Sequence, residues 1–573
     1  MPVTTIPLVG QYNTRRNLNF SLGGASDKDQ RFMGCLIDVS TNPLTKSIDA
    51  YIYKRPGVSA VATIALGQFP AMIHKELGGT GVVICGFTDA VTHTIYHHTV
   101  GSSTVNCGTT DGVPTFGTEA ALNGIKYFLI TDNNGKAYYL PSNAITNTAY
   151  TADGNNSTTI TDIKISGVNS VAGLYVGQRI SAATNVAAGS RIVSIDSVAF
   201  SAVLDTATTG GAFNDLAITK EPLAKITNAN FPSTITGEVV FLDGYFFVMD
   251  ETNKRIYNSD LNSISSWSAS SYITMTSAAD GVLGVARHRN KIVGFGKTSI
   301  EFFSNAGNPF GSVLTSDAQL FSMIGSHPTN ISGNNIKFYA SAGDNLYFVG
   351  ASGNQNMSVF RLSGLTAEKI STSFVDKVLT LQTDSSISAF NIDGTPYVCV
   401  HADASGTDIT FIGNLETGYW TEGNFVSNTI YFSAAAPGAT LGTVSSEGVF
   451  CLQSGNSGKL YCLRADIYQD NGEAFSLKIR TKKIDFGTNN RKFYNRVTLI
   501  GSDVQSSGTA TLEYSDDDYV TWTTAGTFDM TKTNPFITRC GSHQAGRAWR
   551  ITHSANTAFR AQSLQFDYEV GSH

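Results

Sequence analysis

One pattern recurs along this chain of 573 residues and limits the folds open to it. A turn containing Gly, Asn or Asp precedes a strand rich in apolar and aromatic residues, a second turn follows, and another aromatic strand ends the unit. This order predicts an antiparallel hairpin. The pattern is found at residues 79–98, 123–140, 243–261, 289–307, 343–364, 393–420 and 446–464.

The spacing of the hairpins indicates how they are arranged. From Val240 onward they recur about every 50 residues, the length expected of a four-stranded propeller blade to which the hairpin contributes two strands. A single small sheet cannot cover both of its apolar faces, so blades pack around an axis and bury their aromatic residues against each other. We predict a β-propeller of six or seven blades. The alternative, a pair of β-sandwiches, would show strands about every 8–12 residues without a longer period.

The composition favours an all-β fold. Charged residues make up only 15% of the chain, and abundant Ser, Thr and Asn with 55 Gly favour turns and sheet faces. The best helical candidate, near Pro70 to Leu77, is short and ends at Gly78-Gly79. Helix is therefore expected to be minor.

The hairpins divide the chain into parts. The segment between the second and third hairpins has few aromatic residues, and its apolar-polar alternation predicts a small inserted β domain. After the last hairpin, the series FSLKIRTKKIDF, FYNRVTLIG, GTATLEYSDDDYVTW, RAWRITH and AQSLQFDYEV fits a β-sandwich or jelly roll. The predicted parts are an extended N-terminal segment joining the propeller (1–60), the propeller (61–146 and 226–464), the insertion (147–225) and the C-terminal sandwich-like domain (465–573).

Charge and cysteine usage argue against several functions. The net charge is −6 and the longest basic clusters are Arg15-Arg16 and Arg480 to Lys483, which disfavours tight, non-specific DNA binding. The seven cysteines are odd in number and form no C-x-x-C pair, so we expect buried strand residues rather than disulfides or a zinc site. The N-terminal sequence has no basic segment followed by an apolar run. We therefore expect synthesis in the cytoplasm and no membrane insertion.

Histidines provide the best metal-like residues. His97 and His98 are adjacent, with His93 shortly before them, but neighbouring strand residues point to opposite faces and cannot easily share an ion. His288, between two arginines, is predicted to lie in a solvated loop and is assigned no site.

Other motifs are incomplete. Asp516-Asp517-Asp518 lacks the spacing of a calcium loop and is predicted to be a hairpin tip with solvated carboxylates. Gly294 to Thr298 includes Gly-Lys-Thr, but a phosphate loop needs a glycine where Lys291 stands and a helix where a strand is predicted. We therefore predict a protein that is not an enzyme, with no catalytic, cofactor-binding or metal-binding residues and no cofactor.

Several stretches resemble the tail hub or nozzle proteins of short-tailed, podovirus-like bacteriophages, also called packaged-DNA stabilisation proteins. The most diagnostic are Ala-Asp-Gly-Val-Leu-Gly-Val at 279–285 and Arg-Asn-Lys-Ile-Val-Gly-Phe-Gly-Lys-Thr-Ser-Ile-Glu-Phe-Phe-Ser at 289–304. Weaker support comes from Lys54-Arg55-Pro56-Gly57 and from residues 414–420. The resemblance covers about residues 50–420 outside the insertion.

The resemblance implies a structural virion protein that forms a ring, expected to be hexameric, below the portal and adaptor. Such a ring extends the DNA channel, retains packaged DNA before ejection, and provides docking for tail fibres or spikes; DNA passes without sequence-specific binding. The alternatives are a receptor- or carbohydrate-binding tail protein, with Trp522 or Trp549 as an aromatic platform instead of sandwich core, and a propeller glycosidase with converging carboxylates.

Overall fold

The structure is a computed structural model, and it describes most of the chain. The described residues are 3–9, 30–41, 48–76, 81–89, 91–146, 148–276, 281–317, 324–326, 338–352, 357–381, 384–392, 394–403, 409–425, 430–432, 449–453, 457–501 and 507–571. Strand accounts for 60% of the structure and helix for 2%, so the all-β prediction is confirmed.

Five separate sheets of four to six strands form blades of a β-propeller. Each contains one of the predicted hairpins, which are confirmed as antiparallel pairs. We name them by place in the chain: unit 1 (Phe69–Lys75, Val82–Thr88, His93–Thr99, Thr104–Thr110), unit 3 (Ile235–Leu242, Tyr245–Asp250, Arg255–Ser259, Trp267–Thr274), unit 4 (Val282–His288, Lys291–Gly296, Ile300–Asn305, Leu314–Ser316), unit 5 (Ile324–Ser326, Tyr339–Ala342, Asn345–Ser352, Ser358–Ser363, Thr366–Lys369) and unit 7 (Gly57–Thr63, Ile430–Phe432, Phe450–Gln453, Lys459–Arg464, Gln469–Asp470, Glu473–Ala474).

Two further four-stranded units continue into larger sheets. They contain the remaining two predicted hairpins, also antiparallel. These are unit 2 (Pro114–Leu122, Ile125–Asp132, Ala137–Pro141, Ala212–Lys225) and unit 6 (Asp384–Ile392, Thr395–Asp403, Ile409–Asn414, Trp420–Glu422).

The apolar cores lie between units rather than inside them. Neighbouring strand residues face opposite sides, so Phe246 of unit 3 packs against unit 2 while Phe247 packs against unit 4. Every unit contacts the next in this way along the chain. The last core joins Phe450 of unit 7 to Val83 of unit 1, so the series closes on itself.

Closure depends on a strand from the beginning of the chain. Gly57–Thr63 pairs antiparallel with Lys459–Arg464, the last hairpin strand. The Gly458 carbonyl also accepts hydrogen bonds from the amides of Ile64 and Ala65, at 2.8 and 2.9 Å. The two ends of the unit series are therefore held by strand pairing as well as by apolar packing.

Between the third and fourth strands of unit 2 the chain forms a separate core, and we call this segment the insertion. Six strands pack around residues such as Ile160, Ile163 and Ile180, and the long strand Ala212–Lys225 runs from this core into unit 2. The six strands are Tyr150–Asn155, Thr159–Ile165, Val168–Asn169, Gln178–Ala182, Ile192–Asp196 and Ser201–Leu204.

The C-terminal residues form two sheets around a core that includes Trp549 and Phe566, and we call these two sheets the sandwich. N-terminal strands complete both sheets, a pairing that the sequence did not reveal. One sheet contains Val3–Pro7, Cys35–Thr41, Ile48–Lys54, Lys492–Gly501, Phe536–Thr538, Ser542–His543 and Arg560–Val570. The other contains Arg31–Met33, Leu477–Arg480, Thr509–Ser515, Thr523–Asp529 and Ala548–His553, and it continues through Arg31–Met33 into unit 6.

The helical candidate near Pro70 to Leu77 is wrong. Phe69–Lys75 is a strand, because pairing with Val82–Thr88 outweighs the weak local preference of a short segment. The described residues contain one α-helix, Ser373–Leu381, and one short 3-10 turn, Ser142–Ala144. The helix buries Val375, Val378 and Leu379 against units 5 and 6, but nine residues are too few for a clear periodic signal.

Candidate functional site at the propeller–sandwich junction

The most elaborate polar site in the described residues surrounds Arg55, where the N-terminal strands pass from the sandwich to the propeller. Its guanidinium is buried and pairs with both oxygens of the buried Asp470, at 3.0 and 2.5 Å. The ring centres of Phe425 and Phe475 lie 3.9 and 3.7 Å from the guanidinium carbon of Arg55. The cation is thus enclosed by one carboxylate and two aromatic rings.

Every N–H group of Arg55 finds an acceptor. Nε donates to the Gly423 carbonyl at 2.5 Å, and the remaining hydrogen bonds go to the Pro56 and Asn424 carbonyls, at 2.9 and 3.2 Å, and to Asp470. A planar group with five fixed donors suits this arrangement, and a lysine could not reproduce it. Because Gly423 follows the last strand of unit 6 and Asp470 ends a strand of unit 7, Arg55 ties these units to the N-terminal strands.

Two more basic groups are buried beside Arg55. Lys54 donates to the Ala555 carbonyl at 2.7 Å, and its ammonium lies 4.5 Å from the Phe475 ring centre. Burial, followed by the charge of Arg55, lowers the pKa of Lys54 to about 8. Burial, followed by the charge of Lys54, lowers the pKa of His553 to about 4. His553 is therefore neutral at physiological pH.

His553 should make stability depend on pH. The unfolded chain takes up its proton near pH 6.5, whereas the folded chain does so only near pH 4. The stabilisation is full above pH 6.5 and lost as the pH falls from 6.5 to 4, on the order of 3 kcal/mol for one such group. Urea unfolding across this range should show a smaller loss for His553→Gln than for the wild type. His93→Gln, at a less buried histidine, is the control, and equal losses in all three chains would contradict the prediction.

An ordered row of charges crosses the continuous sheet from unit 6 into the sandwich. Arg31, Arg480 and Arg550 occupy paired positions on three adjacent strands, and we call them the arginine row. Glu422 pairs with Arg31 at one end, with Nη2 to Oε2 at 2.6 Å. Glu513 pairs with Arg550 at the other, at 2.6 and 2.8 Å.

Aromatic rings flank the arginine row. Phe374, Tyr519 and Trp522 lie 5.9, 5.3 and 4.3 Å from the guanidinium carbons of Arg31, Arg480 and Arg550, respectively. Such cation–π contacts orient the planar groups. The row joins the propeller to the sandwich and leaves its arginines partly exposed to solvent.

The base of the insertion is held by a second charged cluster. Asp111, in the turn between units 1 and 2, accepts a hydrogen bond from Lys225 at 2.5 Å. Arg179 and Arg191 lie 3.6 and 3.9 Å from the same carboxylate. Buried Lys220 adds hydrogen bonds to two backbone carbonyls, and burial lowers its pKa to about 8. These contacts fix the insertion to the units from which it projects.

The outer end of the insertion carries three carboxylates. Asp153, Asp162 and Asp215 have oxygens within 4.8 Å of one another, and we call them the acidic triad. The Lys164 ammonium lies 2.5 Å from Asp162 and 3.0 Å from Asp215. An ammonium group therefore already balances part of this charge, and we assign no metal to the triad.

The histidines singled out from the sequence all lie in strands. His97 and His98 are buried on one strand, where burial lowers the pKa of each, and His98 shares a hydrogen bond with Thr104 at 2.9 Å. The prediction that His288 lies in a solvated loop is wrong. It ends a strand of unit 4, forms a hydrogen bond with the backbone of Gly364 in unit 5, and is only 4% exposed; burial lowers its pKa.

The acidic run is only partly the solvated hairpin tip that was predicted. It does connect two paired strands, but Asp516 accepts two hydrogen bonds of 2.7 Å from the buried Arg547. Asp517 accepts from the backbone amide of Thr521. The strand predicted after Lys297 is confirmed as Ile300–Asn305, which rules out a phosphate loop there.

The tryptophans and cysteines also have structural positions. Trp549 is fully buried in the sandwich core, whereas Trp522 is half-buried beneath Arg550. All seven cysteines are free and buried, as predicted. Burial raises the pKa of thiols such as Cys35 and Cys85, which makes them poor nucleophiles.

Comparison with protein families identifies the central part of the chain. Residues 135–396, a little under half of the chain, match the model of a family described as Bacteriophage P22 Gp10, beta-propeller. This segment is similar to the phage stabilisation family. The match includes residues 279–304, so the resemblance based on them is confirmed. The phage stabilisation family consists of structural phage proteins, and its description as a β-propeller agrees with the blades described above.

Other comparisons add little. No curated protein matches the chain significantly. Similar solved structures include Phage phi92 endosialidase (12% identity, 64% of this chain, 67% of that chain, TM-score 0.27), the N-terminal domain of Nup159 (7%, 76%, 99%, 0.32) and a glycoside hydrolase (11%, 90%, 98%, 0.24). TM-scores this low do not establish a common fold with any of these proteins. Among the described helices, none is long and apolar enough to cross a bilayer.

Proposed function

We propose that this protein is a non-enzymatic subunit of the tail nozzle, or tail hub, of a short-tailed bacteriophage. The match of residues 135–396 to the phage stabilisation family is the observation that carries this proposal. In the virion, six copies form a ring below the portal and adaptor. The ring extends the DNA channel, retains packaged DNA and docks tail fibres or spikes.

We further propose that the seven units are seven blades of one propeller. Support comes from the apolar cores that join consecutive units and return from unit 7 to unit 1. In the corresponding domain division, residues 61–146 and 226–464 form the propeller and 147–225 an inserted domain. Residues 465–573 form the sandwich together with N-terminal strands from within 1–60, except that Gln469–Asp470 and Glu473–Ala474 pair within unit 7.

The physical properties of the chain suit a conduit under load. A propeller whose unit series is closed by strand pairing offers few free strand edges. The Arg55 site restrains motion of the sandwich relative to the propeller. A net charge of −6 limits contacts with phosphates, so DNA passes without tight, salt-sensitive binding. No contact that reads the base sequence is part of the proposal. The protein is synthesised in the host cytoplasm and functions in the virion, without cofactors and without inserting into membranes.

A complementation experiment tests this function. A phage whose copy of this gene is disrupted should fill its heads but lose DNA, measured as nuclease-sensitive genome in purified particles. The wild-type chain should restore protection, and so should Glu368→Lys, a change at an exposed residue of unit 5. Particles that lack the chain yet retain DNA would contradict the proposal, as would sugar release by the purified protein, which would favour a glycosidase.

A further inference from the structure

The sandwich presents an open, basic sheet face. Side chains of the outer face alternate with the buried core residues, so the arginine row and Lys478 all point outward. Glu422 and Glu513 pair with the two outer arginines of the row, so the described residues named here supply four cations and two carboxylates. Val520, between the flanking Tyr519 and Trp522, is 58% exposed.

The outer end of the insertion has the opposite character. In the acidic triad, three carboxylates face the single cation Lys164, and Asp215 is 64% exposed. Val198 is 86% exposed in the turn beside the triad, since the Phe200 carbonyl accepts from the amide of Ile163. Both surfaces therefore combine exposed valine with an excess of charge, of opposite sign.

Charge is segregated along the insertion. Asp215 and Lys225 lie ten positions apart on one strand, about 33 Å at about 3.3 Å per residue. Arg179, Arg191 and Lys225 lie at the inner end around Asp111. The cations are used to attach the insertion, which leaves its outer end acidic.

The two surfaces lie far apart on one chain. The insertion leaves unit 2, whereas the basic face continues from unit 6. Units 3, 4 and 5 separate them in one direction and units 7 and 1 in the other. Complementary patches on opposite sides of a subunit are the arrangement from which head-to-tail contacts build a ring.

We propose that the acidic outer end of the insertion docks on the arginine row of a second copy of this chain. The inference rests on the proposed function because it supplies the contact of the ring. The occupant is a second copy because this chain itself carries the complementary surface. The two glutamates ending the row disfavour a long polyanion such as DNA, which would meet a carboxylate beyond each outer arginine.

A charge-swap experiment tests this contact. Mass photometry of the purified full chain over a concentration series at low salt should show self-association that weakens as salt is added. Arg480→Glu and Asp215→Lys should each weaken it at least about tenfold, and the double variant should recover most of the loss. Arg480→Gln and Asp215→Asn, which test neutralisation without reversal, should give smaller losses in the same direction.

Two controls keep the outcome clear. Glu368 is an exposed acid that pairs with an arginine but lies outside both surfaces, so Glu368→Lys should leave association unchanged. Thermal unfolding should confirm that every variant is folded. A wild-type chain that stays monomeric at all concentrations, reversals without effect, or a swap without recovery would overturn the inference. The DNA-retention experiment could still succeed in those cases, so failure of the contact and failure of the proposed function are distinguishable.

Discussion

Replacement of Arg55 by alanine is expected to lower the free energy of unfolding by about 3–5 kcal/mol, the usual cost of removing one partner of a buried ion pair. Asp470 would stay buried without its cation, and the Gly423 and Asn424 carbonyls would lose their donors. Arg55→Lys should recover only part of the loss, because an ammonium cannot reach all of these acceptors.

Urea unfolding monitored by tryptophan fluorescence measures this effect. Arg464→Ala is the matched control, since it removes a partly exposed arginine paired with the exposed Asp466 and should cost less than about 1 kcal/mol. Equal losses for Arg55→Ala and Arg464→Ala would show that the Arg55 site does not hold the propeller and sandwich together.

Replacement of Gly458 by alanine is expected to open the closure of the unit series, at a cost of about 3 kcal/mol or more. The backbone φ of Gly458 is +58°, and an added Cβ would lie 1.7 Å from the Ala65 carbonyl oxygen. Backbone on one side must move, which disturbs the hydrogen bonds from Ile64 and Ala65. Amide hydrogen exchange should accelerate in Gly57–Thr63 and Lys459–Arg464.

A second glycine separates the steric effect from the backbone conformation. Gly394 has a φ of +83° but no atom within 4 Å of an added Cβ, so Gly394→Ala should cost only about 1 kcal/mol. Exchange in the closing strands should then remain slow. If both variants behave alike, the close approach of Gly458 to Ala65 does not control closure.

The hairpins were predictable because their signals are local. In Tyr245–Asp250, for example, a turn, a short aromatic strand and the next turn lie within a few residues of one another, and both faces of the strand are apolar because both are buried. Strands between residues 147 and 225 were recognisable for a similar reason, since Thr159–Ile165 alternates apolar and polar residues around one core. Local pattern thus determined most of the strands.

The junction was not predictable, because its partners are remote in sequence. Arg31 and Glu422 are separated by 391 positions, and Arg55 and Asp470 by 415. No local pattern indicates that Val3–Pro7 pairs with the last strand of the chain. Lys54-Arg55-Pro56-Gly57 was noticed as a family-like turn, but the enclosure of Arg55 depends on rings and carbonyls that only folding brings together.

Electron microscopic reconstruction of the tail from the phage that encodes this chain is the most direct test of the proposed position of the chain in the tail. We predict six copies around the DNA path below the adaptor, each with seven blades and with its insertion on the arginine row of its neighbour. A tail in which the chain is absent from the channel wall, or in which it projects as an isolated receptor-binding arm, would contradict the proposed role.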